Sequence, residues 1–183
     1  MCKKSAIDGA THPVCKTPYG LDGLTSFFSY KEAMREAIKK IKYRWMSDIA
    51  ESIVNLIPNQ KFPFPIKNKT LVSVPLHVRR EKWRGFNQSE LLGKLIAEKF
   101  GLGLESNVLK RVKNTKPQVE FKKEKRIANI KGAFSLKKNI DLSQFKNIIL
   151  FDDVWTTGST MRECAKVLKR NGANWVWGIT IAR

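Results

Sequence analysis

One stretch constrains the fold of this chain more than any other. Residues 147–160 read Asn-Ile-Ile-Leu-Phe-Asp-Asp-Val-Trp-Thr-Thr-Gly-Ser-Thr. Ile148 to Phe151 is a continuous apolar run, the pattern of a parallel strand buried on both faces. It ends in two adjacent carboxylates, Asp152 and Asp153. A loop of Thr, Gly and Ser then opens a helix predicted from Ser159 to Asn171. Met161, Cys164, Ala165, Val167 and Leu168 face inward along it, and Gly172 stops it. In parallel sheets, ligands bind beyond the carboxyl ends of the strands. A helix N-terminus offers backbone N–H groups and partial positive charge, which suit a phosphate. Gly158 lets the backbone approach closely, and Thr156, Thr157, Ser159 and Thr160 add hydroxyl donors. Two carboxylates aimed at a phosphate would repel it. Set beside it, they suit the hydroxyls of a sugar diol. The pattern therefore points to a ribose 5-phosphate. No Gly-Lys-[Ser/Thr] is present, so this is not a Walker loop.

The rest of the chain supplies an α/β frame for that stretch. Leu71-Val72-Ser73-Val74 reads as a short strand closed by Pro75. A helix is predicted from Asn87 or Gln88 to Phe100, with Leu91, Leu92, Leu95, Ile96 and Phe100 as its apolar stripe and Gly101 as its stop. Residues 107–112 suit a strand, and Trp175 to Ile181 a closing strand. Upstream, Ala33, Met34, Ala37, Ile38, Ile41 and Trp45 recur at helical spacing from Tyr30 onward. A second helix from about Asp48 to Leu56 carries Ile49, Ile53 and Leu56 on one face, and Pro58 stops it. Pro63 and Pro65 mark an extended linker. Turn signals at Asp8-Gly9, Pro18-Tyr19-Gly20 and Asp22-Gly23 make residues 1–28 read as irregular. Residues 79–84 read as a basic loop and 113–125 as a long mobile one, while 126–135 match no single pattern. The expectation is an irregular segment over 1–28, a helical segment over 29–70, and an α/β core over 71–183 with a mainly parallel twisted sheet flanked by helices.

Composition narrows the class. The 183 residues are 42% hydrophobic, enough for one main domain with its own core. This argues against wholesale disorder and against collagen-like or disulfide-dense chains. Lys+Arg is 35 against 16 Asp+Glu, a formal net charge of +19. Such a surface invites nucleic acid, a phosphorylated metabolite or an anionic membrane. The cations gather twice. Arg79, Arg80, Lys82 and Arg84 oppose only Glu81, and residues 110–126 hold eight cations against Glu120 and Glu124. The longest apolar run, Trp175 to Ala182, is well short of the roughly 18 residues a membrane helix needs. The first 24 residues lack the apolar core of a signal peptide, so a cytoplasmic protein is expected. The three cysteines, Cys2, Cys15 and Cys164, are an odd count that argues against a disulfide framework. Cys164 falls on an apolar helix face and reads as a core residue. Cys2, His12 and Cys15 are candidate zinc ligands, one short of the four a structural site takes.

The 147–160 stretch resembles the phosphoribosyl pyrophosphate (PRPP) fingerprint of type I phosphoribosyltransferases. More specifically, the chain resembles the competence protein F (ComF) family. Leu21-Asp22-Gly23-Leu24, Lys42-Tyr43, Val74-Pro75, Arg84-Gly85-Phe86-Asn87-Gln88, Arg111, Thr115, Gln118, Arg126, Asn129, Ala133-Phe134 and Ile181-Ala182-Arg183 fall in that family's order. The resemblance implies a type I phosphoribosyltransferase fold with a small helical N-terminal hood over residues 29–70. It implies that Asp152 and Asp153 bind the ribose hydroxyls, and that Thr156, Thr157, Gly158, Ser159 and Thr160 wrap the 5-phosphate. Pro75, Leu76 and His77 would lie at the pyrophosphate, in a loop that often carries a cis peptide in this superfamily, with Arg79, Arg80 and Arg84 as nearby cations. Asn87 and Gln88 would line the same pocket. The basic 110–126 segment would close over the site and bring Arg111 or a lysine to the leaving group. Magnesium would accompany the pyrophosphate. Family members often begin with a four-cysteine zinc module, of which Cys2, His12 and Cys15 would be a remnant.

Two functions are compatible with these residues. One is a magnesium-dependent phosphoribosyltransferase that displaces pyrophosphate from C1 of PRPP, with Asp152, Asp153 and Arg111 as its catalytic residues. The other is a non-catalytic competence factor that binds single-stranded DNA and keeps the PRPP pocket as a sensor or vestige. The resemblance links both to DNA uptake in natural transformation, with other DNA-uptake proteins as partners. Trp83, between Lys82 and Arg84, suits a stacked base in the second reading. Trp155, inside the fingerprint, would cover the pocket.

Overall fold

The strand read from Ile148 to Phe151 lies at the centre of the molecule. The computed structural model describes residues 7–41, 47–59, 62–114 and 128–183. Its strands are β1 (Gly23–Phe28), β2 (Thr70–Ser73), β3 (Gly103–Leu104), β4 (Leu109–Arg111), β5 (Phe134–Leu136), β6 (Asn147–Val154) and β7 (Trp175–Ala182). Its helices are α1 (Glu32–Ile41), α2 (Ser47–Asn55), α3 (Val78–Arg84), α4 (Gln88–Phe100) and α5 (Ser159–Arg170). Five strands form one sheet in the order β1-β7-β6-β2-β3, and every pair in it is parallel. β4 and β5 form a separate antiparallel pair. This is the α/β architecture of the type I phosphoribosyltransferase fold.

Both faces of the sheet are covered, which is why β6 is apolar at consecutive positions rather than alternate ones. Ile148 and Leu150 pack with Met161, Cys164, Ala165 and Leu168 of α5 and with Leu109 and Phe134 of the antiparallel pair. Ile149 and Phe151 pack with Leu92 and Ile96 of α4, Ile38 and Ile41 of α1, and Ile53 of α2. The helices of residues 29–70 thus join α4 in the layer on one face of the sheet. α4 is capped by the Asn87 side chain, which accepts from Ser89 N–H at 3.1 Å, and closed by Gly101 in the left-handed conformation.

The structure departs from the sequence reading in three places. Residues 23–28, inside the segment read as irregular, form the edge strand β1, paired with β7 from Gly23↔Trp177 to Phe28↔Ala182. Gly23 reads as a turn residue but serves as a gap, because the Trp177 indole lies where its Cβ would be. Residues 79–84, read as a basic loop, belong to α3. No residue of α3 is buried, so no apolar stripe announces it. Its signals are its caps: His77 Nδ1 accepts from Arg79 N–H at 3.2 Å, and Gly85 ends the helix at φ 82°. The unpatterned 126–135 segment contributes a helical turn at 128–130 and then β5. Trp45 and most of the expected mobile loop lie outside the described residues. No helix among the described residues is long and apolar enough to cross a membrane.

The Trp177 ring is buried across Gly23 and donates from Nε1 to Thr25 Oγ1 at 3.0 Å. Gly23→Ala must displace a rigid indole, at a cost of about 1–3 kcal/mol. At about 2–4 °C per kcal/mol for a chain of this size, thermal unfolding should show a clear drop in Tm.

Candidate functional site

A cleft of about 230 Å³ opens beyond the carboxyl ends of β2 and β6. Pro75 and Leu76 line it from the loop after β2, Arg80 and Arg84 from α3, and Arg111 from the end of β4. Asp152 and Asp153 line it from the end of β6, and Thr156, Gly158, Ser159 and Thr160 from the loop that opens α5 and its first turn. Gln88, Ser89, Tyr30 and Trp155 complete the wall. A larger open groove of about 630 Å³ runs along β1 beside Pro63 and Arg183, but it gathers none of the residues expected at the site.

The acid pair is held by the first turn of α4. Asp152 Oδ1 accepts from Ser89 Oγ at 3.0 Å and from the Asp153 N–H at 3.0 Å. Asp153 Oδ1 accepts from the Val154 N–H at 2.8 Å, and its Oδ2 from Gln88 Nε2 at 3.4 Å. Gln88 Oε1 in turn accepts from Arg84 Nη1 at 2.8 Å. Asn87 Nδ2 donates to the Val74 carbonyl at 3.2 Å, tying the loop after β2 to the same turn. Burial and, second, the Asp153 charge push the Asp152 carboxyl up to about 8, against the hydrogen bond from Ser89.

Cations surround the pair on one side. Arg111 lies over the Phe134 ring at 5.4 Å, and its residue bridges to His77. Burial and the neighbouring Arg80 lower its pKa, while Asp152 and Cys164 oppose that shift. Arg111 is therefore set in place by a strand and an aromatic ring rather than carried on a loop. His77 is a helix cap rather than a cleft residue. Its pKa is lowered by burial and by Arg111, Arg79 and Arg80, which agrees with a neutral ring whose Nδ1 accepts a hydrogen bond.

On the other side, Gly158 is the N-cap of α5 at φ 72°, and Thr157 Oγ1 accepts from the Ser159 N–H at 3.4 Å. A Cβ on Gly158 would overlap the Trp155 indole, and the Arg162 guanidinium lies 5.2 Å from that ring. Trp155 thus packs on the loop that would hold a phosphate. Thr157 stands outside the lining, with its hydroxyl 3.0 Å from Ser159 Oγ. Among the described residues no peptide bond is cis, including those of the Val74–His77 loop.

Most expected site residues therefore converge, and a few do not. Arg80, not Arg79, joins Arg84 in the cleft, and Arg79 is exposed. A helical reading of 79–84 would have shown this, because positions 80 and 84 share a helix face. Ser89 went unread although it directly follows Gln88. Tyr30 carried no signal beyond helical spacing. Cys2 lies outside the described residues. His12 and Cys15 flank one short turn, and no group of three or more metal-binding side chains occurs among the described residues.

The parallel five-stranded sheet flanked by helices defines an α/β protein with the type I phosphoribosyltransferase fold. No protein-family model matches the chain. It is 34% identical over 156 residues to the DNA utilization protein YhgH of Salmonella typhi, covering 82% of this chain and 67% of that one. It is 35% identical over 116 residues to competence protein F of Haemophilus influenzae, covering 62% and 51%. It is 30% identical over 148 residues to competence protein ComFC of Bacillus subtilis, covering 80% and 58%. The chain belongs to the ComF family.

The raised Asp152 pKa has a consequence for stability. The folded state keeps a proton that the unfolded state releases, so stability falls as pH rises from about 4 to about 8, and the cost is full above that. Asp152→Asn should raise Tm above pH 8, by about 2–4 °C for each kcal/mol relieved, and leave it nearly unchanged below pH 4. Thermal unfolding across that range checks it. An equal gain at every pH would contradict the assigned cause.

Proposed function

We propose that the cleft binds PRPP with magnesium and that the protein serves DNA utilization, in the manner of a phosphoribosyltransferase that displaces pyrophosphate from C1. One observation carries the reading: an acid pair, a helix N-terminus with glycine at its N-cap and three arginines line one cleft. Each suits one part of PRPP. The acids suit the ribose hydroxyls, the α5 N-terminus suits the 5-phosphate, and Arg80, Arg84 and Arg111 suit the pyrophosphate. The donors near the acid pair are carboxylate and hydroxyl oxygens, which fit magnesium, an ion that keeps much of its water and binds substrate phosphates. Asp152 and Asp153 would be its nearest protein groups. When bound, magnesium neutralises charge on the pyrophosphate. The arginines then stabilise the leaving anion, and Pro75 and Leu76 limit water on that side. The competence and DNA utilization names of the relatives support a role in the same process.

Calorimetry with PRPP and magnesium tests this reading. The wild type should bind, and an Asp152→Asn, Asp153→Asn double variant should lose at least about tenfold in affinity, the loss expected for hydrogen bonds to charged groups. No binding by the folded wild type would overturn it.

A second reading has its own observation. Trp83 is 80% exposed on α3, between Lys82 and Arg84 and one turn after the exposed Arg79. An exposed indole among cations suits single-stranded DNA, through stacking and phosphate contacts. Trp83→Ala should weaken binding of a short oligodeoxythymidylate by about 1–3 kcal/mol. The affinity of the wild type should fall steeply as salt rises. Fluorescence titration at several salt concentrations measures both.

A further inference from the structure

The geometry points to Ser89 and Gln88 as positioning residues that make the cleft select a free vicinal diol and refuse a DNA sugar. This rests on the ribose 5-phosphate reading above and adds to it what holds the acid pair and what the pair excludes.

A diol presents two O–H donors at a fixed separation, and two neighbouring carboxylates match them only if neither rotates. Asp152 is held through Oδ1 by Ser89 Oγ and the Asp153 N–H, both at 3.0 Å. Asp153 is held through Oδ1 by the Val154 N–H at 2.8 Å and through Oδ2 by Gln88 Nε2 at 3.4 Å. Gln88 is itself fixed by Arg84 Nη1 at 2.8 Å. Ser89 and Gln88 are almost fully buried, at 2% and 6% exposure, so neither arrangement competes with water. Asn87 locks the turn they sit on, accepting from the Ser89 N–H and donating to the Val74 carbonyl.

Such a pair discriminates. A ribose with free 2- and 3-hydroxyls satisfies it. A 2-deoxy sugar leaves one of these acceptors without its ligand hydroxyl, and that loss lowers affinity. A DNA strand fails twice. It has no 2-hydroxyl, and its 3-oxygen carries a phosphate in place of the free hydroxyl the acid pair would bind. A DNA strand is therefore met on another surface, not in the cleft.

The test is calorimetric titration of the intact protein with ribose 5-phosphate and with 2-deoxyribose 5-phosphate, each beside inorganic phosphate. The wild type should favour the ribose compound by about tenfold or more. Ser89→Ala and Gln88→Leu should bring that ratio close to one, whatever each does to the binding of inorganic phosphate. Ser89→Thr, which keeps the hydroxyl, should restore the ratio. A short oligodeoxythymidylate should not displace ribose 5-phosphate. A merely structural role would lower both sugar phosphates together and leave the ratio intact, and that outcome would overturn the inference. So would an unchanged ratio in Ser89→Ala, or displacement by the oligonucleotide. Should the folded wild type bind neither sugar phosphate, the PRPP reading fails and this inference with it. Binding without discrimination removes the inference alone.

Discussion

Two carboxylates side by side at the end of a buried strand repel each other, and much of this structure answers that repulsion. β6 carries Asp152 and Asp153 to the edge of the core, where burial raises the cost of charge. The first turn of α4 opposes it with a hydroxyl and an amide. The backbone N–H groups of Asp153 and Val154 add two more donors. Arg84 reaches the pair through Gln88, and Arg111 acts on Asp152 from β4. The helix, the antiparallel pair and the loop after β2 are thereby tied to one point. Removing Gln88 takes the side-chain donor from Asp153 Oδ2, and removing Ser89 leaves Asp152 Oδ1 with the Asp153 N–H alone.

The frame that places this point was largely legible in the sequence, because burial on two faces leaves a continuous apolar run. Ile148 to Phe151 announced β6, and the stripes of α4 and α5 announced the helices beside it. Elements at the surface were not legible. α3 has no buried residue, so charge was its only pattern, and charge suits a loop as well as a helix. β1 was hidden by Asp22-Gly23, a turn signal in sequence. In the fold Asp22 accepts from the Val176 N–H and pairs with Lys169, and Gly23 makes room for Trp177.

The site divided along the same line. Residues contiguous in sequence, from Asp152 to Thr160, could be read as one device because strand, loop and helix follow in order. Residues that meet only through the fold, such as Ser89 with Asp152 or Arg80 with Arg111, depend on where α3 and α4 begin. The tryptophans make the point again. Trp175 and Trp177 stack against each other at 5.6 Å and meet Phe64 edge-on and tilted, so they belong to the packing of the sheet. Trp83 faces solvent and Trp155 the cleft. The number of aromatic residues alone could not separate these roles.

The central claim is that the acid pair and the α5 N-terminus read the two ends of one ribose phosphate. A crystal structure of the protein with PRPP and magnesium tests it most directly. The account predicts the 5-phosphate at Thr156–Thr160, the ribose hydroxyls on Asp152 and Asp153, and the pyrophosphate between Arg80, Arg84 and Arg111. PRPP in the groove along β1, or its pyrophosphate end on the α5 loop with the acid pair empty, would contradict it.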